Sequence, residues 1–186
     1  MKFQMPNAVT IKARTSSITN AFYNGIIPVV EPTLVEINTA LKILGIDQND
    51  VRCCYCGDVA TEWDHLRPLI IDKKPTGYIS EIDNLVPCCG KCNQSKRNKN
   101  WEEWINSTAK LSPRTRGIKN LSEKIQKIKA YENQTKPIKI DSFETIVGKE
   151  LWEKHLQNYE EIINMIKKCQ QTSDEIKEKI KKHFKQ

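Results

Sequence analysis

The chain has 186 residues, a net charge of +7 and 28% charged side chains, which fits one folded core with appended helices. No apolar run approaches ~18 residues, so the composition excludes a membrane-spanning segment. Met1 to Thr10 lacks the charged-then-apolar pattern of a secretory leader, and the expected location is the cytoplasm.

The charge is uneven. Residues 1–52 carry +1, residues 53–90 carry −3, residues 91–119 carry +6 and residues 120–186 carry +3. An acidic stretch followed at once by a basic one predicts a polyanion held beside a cation site. The simpler reading, a solvated lysine-rich surface, suits residues 120–186 better than residues 91–119.

Residues 1–31 show little periodicity. Lys12 and the polar run Arg14-Thr15-Ser16-Ser17 read as a surface segment or as an arm on phosphate, and Ile26 to Val30 is too short and proline-broken for a central strand. Thr33-x-x-Glu36 is a capping-box pattern. Leu34, Ile37, Leu41 and Leu44 follow it at helical spacing until Gly45, predicting one amphipathic helix.

Six of the seven cysteines fall in two tight clusters. Disulfide frameworks spread their cysteines, whereas paired Cys-x-x-Cys knuckles favour metal. Cys53, Cys56, Cys89 and Cys92 can close a tetrahedron of four thiolates around a structural Zn²⁺. Cys89 is preferred to Cys88 because it restores the two-residue spacing to Cys92, with Cys54 and Cys88 left as alternatives. Cys169 stands alone on a predicted helix.

Between the knuckles, Thr61-Glu62-Trp63 predicts a strand delivering Asp64 and His65, and Asn84 to Pro87 predicts the returning strand. A loop with Pro68, Pro75 and Gly77 separates them. A helix is expected from Asn93 to about Arg97 and another from an Asn100 cap, with Glu103 reaching back. Simpler roles exist for several of these residues: Asn84 as a turn residue, Asn93 as a helix cap and Asp64 as a partner of Arg67. Beyond Pro113, apolar stripes predict three helices: Ile118 to Tyr131, Leu151 to Ile166, and Ile176 to Phe184 after a Thr172-x-x-Glu175 cap. The resulting division is 1–52, 53–112 and 113–186.

Phosphodiester hydrolysis needs a base for the attacking water and a cation for the charge on phosphorus and the leaving oxygen. His65 has an intrinsic pKa near ~6.5, which suits such a base. The run Cys53-Cys54-Tyr55-Cys56-Gly57, Asp64-His65, Asn84-Leu85-Val86-Pro87, Cys89-Gly90-Lys91-Cys92-Asn93 resembles the HNH (ββα-metal) endonuclease family, most specifically over residues 53–104. It looks like the subgroup found in type II restriction enzymes.

That resemblance implies an α+β, mostly helical protein with a ββα-metal core and a four-cysteine zinc site, embedded in N-terminal and C-terminal helical segments. It implies His65 as base, Asp64 and Asn93 as ligands of a catalytic metal, and Asn84 as the residue that orients the loop and the base. One carboxylate and one amide oxygen suit a single hard cation, Mg²⁺ with Mn²⁺ as substitute. The expected substrate is double-stranded DNA, steered by Lys96, Arg97, Lys99, Arg114 and Arg116, with residues 113–186 for DNA recognition or dimerisation, and the expected assembly is a homodimer in a prokaryotic or phage-encoded setting. The alternatives are a phage or mobile-element HNH nuclease and a non-catalytic zinc-ribbon DNA-binding module.

Overall fold

The structure is a computed structural model that describes Met5 and residues 8–184, so the expectation for Met1 to Thr10 falls partly outside it. In chain order the elements are α1 (Thr15–Asn24), α2 (Leu34–Leu44), β1 (Glu62–His65), β2 (Ile70–Ile71), β3 (Lys74–Pro75), β4 (Leu85–Cys88), α3 (Gly90–Lys96), α4 (Trp101–Ile105), α5 (Leu121–Gln134), α6 (Phe143–Val147) and α7 (Lys149–His183). The described residues are therefore mostly helical, with two small antiparallel sheets pairing β1 with β4 and β2 with β3. No described helix is long and apolar enough to cross a membrane.

Two compact units emerge, Ile26–Asp141 and the pair of segments Met1–Gly25 with Ser142–Gln186. Their edges do not coincide with the divisions at 52/53 and 112/113. The reason is packing. The knuckle cysteines share one apolar cluster with Ala40 and Leu44 of α2, Trp101, Trp104 and Ile105 of α4, and Ile128 and Tyr131 of α5. A segment as small as 53–92 buries too little apolar surface alone, and the flanking helices supply the rest.

In the Ile26–Asp141 unit, α2 has the capping box that its sequence predicts, with Thr33 accepting from Glu36 N–H, and it ends on Gly45 in the left-handed region at φ 64°. β1 and β4 are in the register Glu62↔Cys88, Trp63↔Pro87, Asp64↔Val86 and His65↔Leu85. Strand alternation therefore puts Glu62 and Asp64 on one face and Trp63 and His65 on the other. The β2–β3 hairpin turns through Asp72 and Lys73, both at positive φ, as a tight two-residue hairpin requires.

Helix α3 begins at Gly90, three residues before the expected start at Asn93. Asn93 thus lies inside the helix, its N–H bonded to the Cys89 carbonyl, and is not its cap. The Asn100 cap of α4 is present and accepts from Glu102 and Glu103 N–H. The Tyr131 hydroxyl donates to the Leu85 carbonyl at 3.0 Å, which fixes α5 to β4. Gly77 meets the 139–140 segment so closely that a Cβ there would lie 2.3 Å from the Ile140 carbonyl oxygen.

In the other unit two expectations change. Helix α1 occupies residues read as unpatterned. Thr15, Ser16 and Ser17 are weak helix formers, but a 3₁₀ turn at Ile11–Arg14, capped by Thr10, leads directly into them. The two predicted C-terminal helices are one, α7, because Thr172 does not cap. Its hydroxyl bonds back to the Lys168 carbonyl at 3.3 Å, which leaves the helix intact. His155 stacks on Phe22 with centroids 4.1 Å apart, and the Tyr159 hydroxyl bonds Thr19 at 2.9 Å.

Candidate functional site

Four side chains form the first part of the site. Cys53, Cys56, Cys89 and Cys92 bring their sulfurs within 4.8 Å of one another and could hold a metal ion. The Cys56–Cys89 separation is 3.6 Å, near the ~3.8 Å edge of a tetrahedron with bonds of about 2.3 Å, so the donor set fits Zn²⁺. Cys54 and Cys88 are buried beside this group but are not part of it. The thiols share charge unevenly. Cys56 is pulled down by hydrogen bonds from Cys53 and Cys92, while Cys53 is pushed up to about 12 and Cys92 is also pushed up by its bonds with Cys53 and Cys56. Only a cation lets all four ionise together.

The second part is built where β1 faces α3. Asp64 is 5% exposed, and its Oδ2 accepts from the Tyr55 hydroxyl at 2.7 Å and lies 3.0 Å from Lys96 Nζ. The Lys96 ammonium also donates to the His65 carbonyl at 2.7 Å. Burial pushes the Asp64 carboxyl up, and the Lys96 charge and the Tyr55 bond oppose that. Neither bond uses Oδ1, and Oδ1 is not among the buried, unpartnered side-chain atoms of the described residues.

One strand step away on the same face, the Asn93 amide donates to Glu62. Glu62 also lies over the start of α3, where a Cβ on Gly90 would come within 2.9 Å of its carboxylate.

His65 ends β1. Its Nε2 lies 2.9 Å from the Ser80 hydroxyl. Asn84 is fully buried and clamps the chain just beyond His65: its Oδ1 accepts from Arg67 N–H at 2.9 Å, and its Nδ2 donates to the Arg67 carbonyl at 3.0 Å. The Leu66 N–H closes the same turn on the Asn84 carbonyl at 2.8 Å. Asp64 does not pair with Arg67, which instead binds the Glu132 carbonyl.

Burial, then the neighbouring Lys96 charge, lowers the His65 pKa from 6.5 to about 4. The imidazole is therefore neutral throughout the physiological range. A lowered pKa means that the unfolded chain binds a proton more readily between pH 4 and 6.5. His65 consequently contributes stability above pH 6.5 that is lost as pH falls towards 4. An NMR titration of the His65 ring without added divalent cation is expected to give a midpoint near 4; a midpoint at 6.5 would contradict this placement.

The five basic residues expected on DNA separate into two groups. Arg97, Lys99 and Arg114 are exposed, with Arg114 donating to the Asn106 carbonyl at 3.0 Å. Lys96 departs from the expectation, because it is fully buried on the inner face of α3 and has no surface left for phosphate. Arg116 departs too: its guanidinium donates to the Cys92 sulfur at 3.5 Å and sits 3.5 Å from Asp58.

Sequence reasoning missed Tyr55, Glu62 and Ser80. Glu62 was accessible from strand alternation, since it lies two residues before Asp64. Ser80 is set by the loop between the strands, and no periodicity marks it.

No family model matches the chain, and no solved structure matches it. An alignment of 68 positions that covers 34% of this chain is 32% identical to part of a CRISPR-associated endonuclease Cas9 from Corynebacterium diphtheriae (strain ATCC 700971 / NCTC 13129 / Biotype gravis). This stretch is similar to part of an endonuclease. The match covers 6% of that relative's length.

Proposed function

We infer that this protein is an HNH endonuclease that hydrolyses phosphodiester bonds of double-stranded DNA with Mg²⁺, and that it acts as a homodimeric type II restriction enzyme. The observation that carries this reading is the packing of α3 on β1, which sets Asn93 against Glu62 and Lys96 against Asp64, while His65, on the opposite face by alternation, ends the strand, where the chain can turn its ring towards the same site. The similarity to part of an endonuclease supports it, as does the +6 charge of residues 91–119.

Asp64 Oδ1 and the Asn93 carbonyl oxygen would hold the cation, a sparse hard-oxygen set that suits Mg²⁺. A bound Mg²⁺ would neutralise charge on the phosphorane and the leaving oxygen. Lys96 and Tyr55 hold Asp64 by Oδ2 and oppose the rise that burial gives its carboxyl. Glu62 accepts from the Asn93 side-chain amide Nδ2, which leaves the side-chain carbonyl oxygen free. Neutral His65 accepts the proton of the attacking water, and Asn84 fixes the turn behind it. The zinc thiolates fix Cys92, and through it Asn93, against β1.

Arg97, Lys99 and Arg114 are the phosphate contacts in this reading. Arg97 sits at φ 52°, ψ −132°, a region that only glycine enters freely, at a cost of roughly 1–3 kcal/mol. Arg97→Gly is expected to raise stability by about 1 kcal/mol yet weaken DNA binding, with the slope of log affinity against log salt smaller by about one. A more stable variant with unchanged DNA affinity would remove Arg97 from the interface.

Digestion of a long DNA with Mg²⁺, followed by sequencing of the fragment ends, tests the function. Discrete ends are expected. A smear would indicate a nonspecific nuclease, and intact DNA would indicate a binding module.

A further inference from the structure

The geometry points to Arg116 as a positioning residue of the metal centre, a guanidinium clamp that binds the zinc thiolates from outside and ties the two knuckles together. This rests on the reading of the four cysteines as a zinc site.

Four thiolates around a Zn²⁺ carry a formal charge of −2, which is costly beside an apolar cluster unless an opposite charge lies close. Arg116 lies there. One arm of its fork donates to the Cys92 sulfur at 3.5 Å, and the other meets Asp58 at 3.5 Å. Cys92 belongs to the second knuckle, and Asp58 follows the last cysteine of the first. Lys91 Nζ reaches the same Asp58 oxygen at 4.0 Å.

The side chain is only 19% exposed, and its backbone is locked. The Arg116 N–H donates to the Ser112 carbonyl at 3.0 Å, and the fully buried Ser112 donates its hydroxyl to the Ser107 carbonyl at 2.7 Å. These bonds hold the Arg116 backbone in a turn from which its side chain reaches the sulfurs. A planar fork suits this double contact; a lysine would supply charge without the second arm. Hydrogen bonds to metal ligands from outside the coordination shell commonly set affinity by about 10–100-fold.

The test is chelator competition on the zinc-loaded full chain. Arg116→Met keeps the side-chain bulk and removes the charge. It is expected to weaken zinc retention by about 10–100-fold and to speed alkylation of the knuckle cysteines by iodoacetamide. Arg116→Lys is expected to recover part of both losses, and it keeps the test decisive if the methionine variant does not fold. Asp58→Asn, which frees one arm of the fork, is expected to weaken retention by a smaller factor.

Zinc affinity and alkylation rate of Arg116→Met within twofold of wild type would overturn the clamp. So would unchanged zinc affinity combined with a DNA salt slope smaller by one, which would make Arg116 a phosphate contact. A wild-type chain that retains no zinc would instead overturn the zinc reading itself.

Discussion

Replacing Cys92 by serine, or stripping the metal with a chelator, is expected to unfold the Ile26–Asp141 unit. A structural zinc contributes on the order of 10–16 kcal/mol in small zinc-binding peptides. A domain of this size has a net stability of about 5–15 kcal/mol, so losing the metal removes most or all of the margin. The effect is large here because the knuckles are not an appendage. Cys53, Cys88, Cys89 and Cys92 belong to the same cluster as Tyr55 and Trp104, whose rings meet edge to face at 5.1 Å. Repulsion adds to the loss, since sulfurs within 4.8 Å of one another cannot all remain ionised without a cation. Loss of the cooperative thermal transition, with buried tryptophans becoming exposed, is the expected readout. A metal-free chain that melts at the wild-type temperature would contradict it.

His65→Ala is expected to lower DNA cleavage by at least about 10²-fold, the lower end of what a positioned general base contributes. Zinc content and DNA affinity are expected to stay at wild-type values. His65 is half-buried, its ring has one hydrogen bond, to Ser80, and its backbone carbonyl, which receives Lys96, survives the substitution. The variant therefore separates chemistry from folding. Cleavage within a few-fold of wild type would remove His65 from the base role, and loss of zinc would show that the substitution had acted on the fold.

Much of the local structure was legible because it follows from short-range chemistry. The Thr33 capping box, the Asn100 cap and the two strands around the knuckles are each signalled by residues within a few positions. The cysteine group was legible because metal-ligand spacing is a strict pattern. Two kinds of feature were not. Helix starts shift when backbone geometry outweighs composition, as where α3 begins at Gly90 and places Asn93 in its interior. Long-range side-chain partners have no signature at all: nothing near Lys96 in sequence says that it turns inward to Asp64, or that Arg116 reaches Cys92. Both basic residues were expected on DNA phosphates, and both are held by a negative group that only the fold brings close.

The same partners sharpen the division of labour at the site. In the proposed site Asp64 would offer a cation the carboxylate oxygen that Lys96 and Tyr55 leave free. Asn93 would offer its side-chain carbonyl, because Glu62 takes its amide. The expected base stays neutral because it is buried beside a lysine.

The most direct measurement is cleavage of supercoiled plasmid by the zinc-loaded wild-type chain across a range of Mg²⁺ concentrations, with DNA binding followed in parallel. Nicked and linear products are expected only with the divalent cation, and His65→Ala is expected not to produce them. Plasmid that is bound yet remains intact with Mg²⁺, Mn²⁺ or any other divalent cation would contradict this and make this chain a zinc-stabilised DNA-binding module.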